Sequence, residues 1–252
     1  MIITLTTDFG LKDPFVGAMK GVILSRNPDV RIVDITHDIP SYDVMEASII
    51  IGDACRFFPA GTVHVVVVDP GVGSARRPIA VKGTGQGAGQ VFIGPDNGVF
   101  SLVSGSGPGY HITNTDLFQH PVSQTFHGRD IFAPVAAYLA AGAPIESVGP
   151  VAAGLVTHSA HQKPSVLRVD KFGNVLTNLR RDQLGSDFVI RASGIEVRRL
   201  LSSYSEAFPG EVFAIEGSAG LIELSMNLES AADRLKLQRG AEIEVETGPL
   251  NQ

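Results

Sequence analysis

Apolar residues recur along this chain in two rhythms, and the change from one to the other divides it. Over roughly the first 150 positions, short apolar runs alternate with stretches of helical spacing, which predicts strand and helix in turn. The strands are Ile2–Thr6, Arg31–Ile35, Val63–Val68, Ile79–Val81, Gln90–Ile93 and a short one near Tyr110. Helices are expected over Pro14–Ser25, over Ser41–Phe57, from Asn97, and from Asp130 to Ala141. Pro14 suits a helix start, and Ser41 is placed to cap the second helix, ahead of Val44, Ala47, Ser48 and Ile51. Beyond Gly154 the period shortens to two. Val166–Val169, Phe188–Ile190, Glu196–Leu201, Val212–Ile215, Leu221–Leu224 and Ile243–Val245 are punctuated by Gly, Pro and Asn, the mark of a compact all-β unit. The expected architecture is therefore an α/β domain over residues 1–154, a mostly parallel sheet flanked by helices, and a smaller all-β domain over 155–252. VAAGLVTHSAHQKP reads as the link between them.

Composition narrows the class. In 252 residues, 44% hydrophobic against 18% charged supplies apolar material for full cores. A net charge of −6, with no basic block, gives no electrostatic reason to expect nucleic acid as a partner. No apolar run approaches the ~20 residues of a membrane span, and MIITLTTDFG lacks the basic and small-residue marks of a secretory leader. A cytoplasmic protein without membrane contact is the expectation. Cys55, the single cysteine, reads as a buried apolar residue in SIIIGDACRFF. GTGQGAG at 83–89 resembles a nucleotide loop only superficially, because strands stand on both sides of it and Ala88 breaks the glycine spacing; a hairpin tip fits better.

The chemistry concentrates at strand ends. In VVVVDPGVGSARR, Asp69 closes a strand buried on both faces and Arg76 follows seven residues later, while FHGRD presents His127. Ligands of open α/β sheets bind at the carboxyl ends of the strands. There a guanidinium favours the charged form of a neighbouring carboxylate, and an imidazole can orient or deprotonate a water. The competing reading makes Asp69 and Arg76 a structural ion pair, His127 a loop residue and Asp130 the cap of the next helix. Asp8, after the first strand, suits a ribose diol; Asp13 beside Pro14 reads rather as a helix cap, and His37 and Asp38 as turn residues. Asp38, Asp69, His127 and Asp130 could alternatively ligate a hard metal, but no H-E-x-x-H or H-x-H spacing supports this, and Arg76 would set a cation beside the ion. No metal and no cofactor are expected. In VDKFGNVLTN, Asp170, Phe172 and Asn174 surround a glycine turn; Asn174 offers the donor and acceptor an adenine edge requires, and an ordinary hairpin turn explains it equally.

Taken together, TTDFG, THDIP, VVDPGVGSARR, IGPDNG, FHGRDIFAPVAA, DKFGNVLTN and GSAGLIELSMN resemble the S-adenosyl-L-methionine hydroxide adenosyltransferases, the SAM hydrolases related to fluorinase and chlorinase. The resemblance runs in order through nearly the whole chain. It implies an N-terminal α/β domain with a C-terminal β-barrel, homotrimers with sites between subunits, and attack of water on C5′ of S-adenosyl-L-methionine, giving adenosine and L-methionine. By position it makes Asp69, Arg76 and His127 the catalytic trio. It further assigns Asp8 to the ribose hydroxyls, Asp170 to the methionine ammonium, Asn174 and a stacking Tyr204 to adenine, Ser218 to the methionine carboxylate, and backbone at Met226 and Leu228 to the adenine edge. Halide-using relatives carry tyrosine where Asp69 stands and a long insertion where this chain has only GTGQGAG. Two other readings are weighed against hydrolysis: a halide-using adenosyltransferase, and a nucleoside or SAM-binding sensor without turnover.

Overall fold

The computed structural model describes residues 1–105, 107–158 and 163–248. The chain divides into two compact units, Met1–His158 and Ser159–Gln252. In the first, the order is β1 (Ile2–Thr7), α1 (Phe15–Arg26), β2 (Arg31–Thr36), α2 (Val44–Ala54), β3 (Val63–Val67), β4 (Pro78–Lys82), β5 (Val91–Pro95), α3 (Ser101–Ser104), β6 (Gly109–His111), α4 (Ala133–Ala140) and β7 (Val151–Ala152). The seven strands form one sheet, β2-β1-β3-β5-β4-β6-β7. The first four are mutually parallel, and the pairs β5–β4, β4–β6 and β6–β7 are antiparallel, so five of the seven strands still point one way. β3 is buried along its whole length, and its alternate residues serve opposite faces. Val63, Val65 and Val67 join the core beneath α1 and α4, whereas Val66 and Val68 join the one beneath α2 with Ile51, Cys55 and Phe92. Because β1 is flanked by β2 on one side and β3 on the other, the strand order reverses there, and a crevice opens at the carboxyl ends of β1 and β3.

Several boundaries differ from expectation for local reasons. The second helix starts at Val44, not Ser41, and its cap is Asp43, whose carboxylate accepts from Glu46 N at 2.9 Å; Tyr42, at φ 68°, breaks the helix before it. It ends at Ala54, where Cys55–Phe57 tightens into a 3₁₀ turn. Asn97 opens no helix: its amide donates to Val68 O at 2.9 Å, and regular helix is confined to Ser101–Ser104. A π turn over Gly128–Phe132 precedes α4, so Asp130, fully buried, does not cap it. The GTGQGAG segment connects antiparallel β4 and β5. Of the stretch read as a link, positions 151–158 are tied into the first unit: Arg77 donates to Ala153 O and Gly154 O, both at 2.8 Å, and Val156 N donates to Asp96 at 2.9 Å. Positions 159–162 lie outside the described residues.

Among the described residues, the second unit is β-rich, with one short α-helix and two 3₁₀ turns. β8 (Val166–Val169), β9 (Val175–Arg180), β10 (Phe188–Ala192), β11 (Ile195–Val197), β12 (Leu200–Leu201), β13 (Phe213–Glu216), β14 (Leu221–Ser225), α5 (Ala231–Leu235) and β15 (Glu244–Thr247) follow in order. They build a five-stranded sheet, β12-β13-β14-β9-β8, and a three-stranded one, β11-β10-β15. The strands of the described residues thus form two sheets and no single closed barrel. Val166, Val175, Ile190, Ile222, Leu224 and Met226 lie in the core of this unit. β9 and α5 went unforeseen, the first hidden behind its polar turn and the second too short for a helical period to register.

One buried group makes the first unit acid-sensitive. His64, fully buried on β3, meets Thr4 Oγ1 through Nδ1 at 2.7 Å and Gln90 Oε1 through Nε2 at 3.1 Å, and stacks on Phe92. Burial pushes its pKa down to about 4. An unfolded histidine titrates near 6.5, so between about 6.5 and 4 the unfolded chain binds a proton that the fold refuses. Stability is complete above about 6.5 and falls as pH drops to 4, by roughly 3 kcal/mol from this residue. Urea midpoints measured from pH 7 to pH 4 should show this fall, and His64→Gln, less stable at pH 7, should show a shallower one. Equal slopes in both proteins would remove His64 as the cause.

Candidate active site

Four loops meet at the crevice. Asp8 follows β1, Tyr42 precedes α2, Asp69 follows β3, and His127 stands just before the π turn. Together with Phe9, Asp13, Val72 and Phe126 they line a pocket of about 440 Å³. Phe9, Phe15 and Phe126 pack edge to face, with centroids 5.2–5.9 Å apart, and form its apolar wall.

Asp69, Arg76 and His127 are brought into direct contact. Arg76 donates from Nε to Asp69 Oδ1 at 2.9 Å and from Nη2 to Asp69 Oδ2, and Nη2 also lies 2.7 Å from His127 Nδ1. The side chains of Asp69 and Arg76 are 5% and 9% exposed. A guanidinium has only hydrogens to give, so His127 Nδ1 must accept, and the neutral ring carries its proton on Nε2. The imidazolium is disfavoured first by burial and then by the charge of Arg76, while Asp69 and Asp130 pull the other way; the net effect is a lowered pKa. Arg76 Nη1 is buried with no hydrogen-bond partner among the described residues. The loop that carries the pair is tightly wound: Val72 N donates to Asp69 O at 3.2 Å, and Ser74 Oγ accepts from Arg76 N at 3.2 Å.

Asp8 stands at the crevice with Oδ2 accepting from Tyr42 N at 2.8 Å, so the ribose candidate also tethers the loop before α2. Tyr42 was missed by sequence reasoning; an exposed tyrosine after Pro-Ser carries no signal, and its role at the rim depends on a left-handed backbone at that one position. Asp13 is no helix cap, since no side chain caps α1, and it lines the pocket instead. His37 follows β2 at a bend and is buried there, with Nδ1 against Thr7 Oγ1 at 2.9 Å and Nε2 3.2 Å from Asp34 Oδ1. Asp38 stays exposed, its N–H donating to Thr36 Oγ1. Among the described residues no group of His, Cys, Asp and Glu has the arrangement of a metal site, and no helix is long and apolar enough to cross a membrane.

The remaining candidates belong to the second unit. Asp170 and Asn174 are directly bonded: Asp170 Oδ1 accepts from Phe172 N and Asn174 N at 2.8 and 2.9 Å, and Oδ2 accepts from Asn174 Nδ2 at 2.8 Å. Tyr204 opens a short turn and sets its ring edge-on to Phe213 at 5.9 Å; burial, then the negative field of Glu223, pushes its hydroxyl pKa up. Asp170 contributes to the same field. Ser218 sits in the β13–β14 turn, which is closed by Gly217 N donating to Leu221 O at 2.8 Å. Met226 is buried in the core, so only its backbone is available to a ligand, whereas the Leu228 side chain is almost wholly exposed on a backbone at φ 59°.

Comparison with known proteins supplies the lineage. Residues 3–149 match the SAM hydroxide adenosyltransferase N-terminal domain, and residues 164–244 match the C-terminal domain of the same family. The chain belongs to this family. Among SAM hydroxide adenosyltransferase relatives, it is 38% identical to the (R)-S-adenosyl-L-methionine hydrolase of Salinispora tropica, over 98% of either chain. It is 34% identical to the protein of that name from Thermus thermophilus, over 94% of this chain and 96% of the relative. A fluorinase of Nocardia brasiliensis is 31% identical over 98% of this chain and 97% of its own. The crystal structure of an uncharacterized conserved protein from Thermotoga maritima superposes with a TM-score of 0.87 at 37% identity, covering 97% of this chain and 99% of that one.

Proposed function

We propose that this protein hydrolyses S-adenosyl-L-methionine by attack of water on ribose C5′, releasing adenosine and L-methionine. The observation that carries the reading is the Asp69–Arg76–His127 chain at the pocket wall, with Asp8 lining the same pocket. A sulfonium leaves with the bonding electron pair and becomes a neutral thioether, so neither a metal nor an acid is needed to expel it. The work left to the protein is to place one water in line with the C5′–S bond and to take its proton as the C5′–O bond forms. Because Arg76 occupies His127 Nδ1, the ring is suited to donate from Nε2 and to aim the water, which leaves Asp69 as the proton acceptor. Hydrolysis also fits the charge of the pocket, where Asp8, Asp13 and Asp69 favour a cationic substrate and oppose a halide nucleophile.

In this reading Asp8 accepts from the ribose hydroxyls. Asp170 receives the methionine ammonium, Asn174, Tyr204 and the backbone at Met226 and Leu228 hold the adenine, and Ser218 binds the methionine carboxylate. A homotrimer would supply these second-unit groups from a neighbouring subunit. The deciding experiment is incubation of purified protein with S-adenosyl-L-methionine, with and without chloride, followed by chromatography of the nucleosides. Adenosine in both samples is expected. 5′-Chloro-5′-deoxyadenosine would place the protein among halide users, and intact substrate would leave a sensor.

Ribose recognition is separately testable. Hydrogen bonds to a charged acceptor are worth about 1.5–3 kcal/mol, so Asp8→Ala should weaken adenosine binding by at least about tenfold. It should also erase the parent's preference for adenosine over 2′-deoxyadenosine, as read by calorimetry. A variant that keeps the parent's preference would take Asp8 out of the ribose site.

A further inference from the structure

Asp130 is fully buried three residues after His127, and no step above employs it. Its Oδ2 accepts from Ser123 N at 2.8 Å and from Arg129 Nη2 at 2.9 Å, and its Oδ1 accepts from Arg129 Nε at 2.6 Å. Its carbonyl accepts from Gln119 N at 2.8 Å, and its own N–H donates to Phe126 O at 3.2 Å. One residue therefore fastens the 119–127 segment at its start, near its middle and close to its end. The fastening sits on the π turn Gly128–Phe132, an irregularity frequent at functional sites. A buried carboxylate of this kind is retained at the cost of desolvation, which its pairing with Arg129 offsets.

We infer that Asp130 is a positioning residue for His127: its carboxylate folds the 119–127 segment so that His127 Nδ1 stays on Arg76 Nη2. This rests on the hydrolase reading only for its effect on turnover; the placement of the ring is independent of it. The charge of Asp130 reaches His127 as well, supporting the imidazolium against burial and Arg76. The other charged or titratable groups around the ring are Asp69 on the β3 loop, Arg129 beside Asp130, and Asp8, Asp13 and Tyr42 in the pocket lining.

The test uses full-length protein with ¹⁵N-labelled histidine, the His127 signals being assigned by their loss in His127→Gln. Nitrogen shifts report both the titration midpoint and which ring nitrogen holds the proton. The parent should show the Nε2–H form at neutral pH. Asp130→Asn removes a negative charge, so the His127 midpoint should move to lower pH, and Nδ1–H should become populated as contact with Arg76 loosens. Arg129→Gln withdraws the counter-charge that seats the Asp130 carboxylate, so Nδ1–H should become populated there too. In turnover assays Asp130→Asn should lose about tenfold or more in kcat with little change in KM, since displacements near 1 Å cost on the order of 10²-fold. An unchanged midpoint and tautomer in Asp130→Asn would overturn the inference even if the parent hydrolyses its substrate, whereas absent hydrolysis with the expected shifts would overturn only the functional reading. Should Asp130→Asn fail to fold, Arg129→Gln decides alone, and an unchanged tautomer there overturns the inference.

Discussion

Asp69→Asn is expected to lower turnover by about 10²–10⁴-fold while nucleoside binding changes little. The substitution preserves volume at a site whose side chain is only 5% exposed, but it leaves the buried Arg76 cation without its counter-charge, so the melting temperature should fall as well. It removes the acceptor for the water's proton and turns an amide N–H₂ toward the guanidinium donors of Arg76. The adenosine-binding groups assigned to Asp8 and to the second unit are untouched. Single-turnover measurement of adenosine release, with adenosine affinity by calorimetry, separates the two effects. Undiminished hydrolysis would leave Asp69 as a structural partner of Arg76.

Gly73→Ala tests the geometry without touching a reacting group. Gly73 has φ 76°, and a Cβ there would lie 2.3 Å from Gln124 O, a backbone atom that cannot rotate away. The left-handed backbone alone costs an alanine about 1–2 kcal/mol. The larger consequence is that the loop bearing Asp69 and Arg76 rests directly on the segment leading to His127, so the added methyl must push them apart. The 2.7 Å contact between Arg76 and His127 would then be lost. Misplacement by about 1 Å typically costs on the order of 10²-fold, and kcat should fall by that factor while the protein stays folded with a lowered melting temperature. Full activity in this variant would mean that the two loops need not be held at contact.

The parts of the site legible in the sequence are those that follow from the chain's local order. A strand apolar on both faces has to be central, and the first polar residue after it has to stand at the sheet edge; this places Asp69, while Asp8 is read from its position at the end of the first strand. Arg76 could be read because a short loop returns it to the same edge. What stayed hidden was set by partners distant in sequence. Asp130 looks like a helix cap until the 119–127 segment folds onto it, and the burial of the turn residue His37 shows only once Thr7 and Asp34 close around it. His64 interrupts an apolar run without warning that Gln90, 26 residues on, completes its hydrogen bonds. Ser41 lost the cap to Asp43 through one positive φ at Tyr42, a conformation that tyrosine does not announce.

The shared Nη2 of Arg76 also bears on how such a site can diverge. Among the described residues its charge is paired with Asp69, since the imidazole on its other side is disfavoured as a cation. Exchanging Asp69 for the tyrosine that the resemblance assigns to halide-using relatives would strand a buried cation, a change that costs several kcal/mol when one partner of such a pair is removed. A route from hydroxide to halide chemistry at this pair would then alter positions 69 and 76 together or pass through a destabilised intermediate, so the pair would act as a barrier between the two lineages.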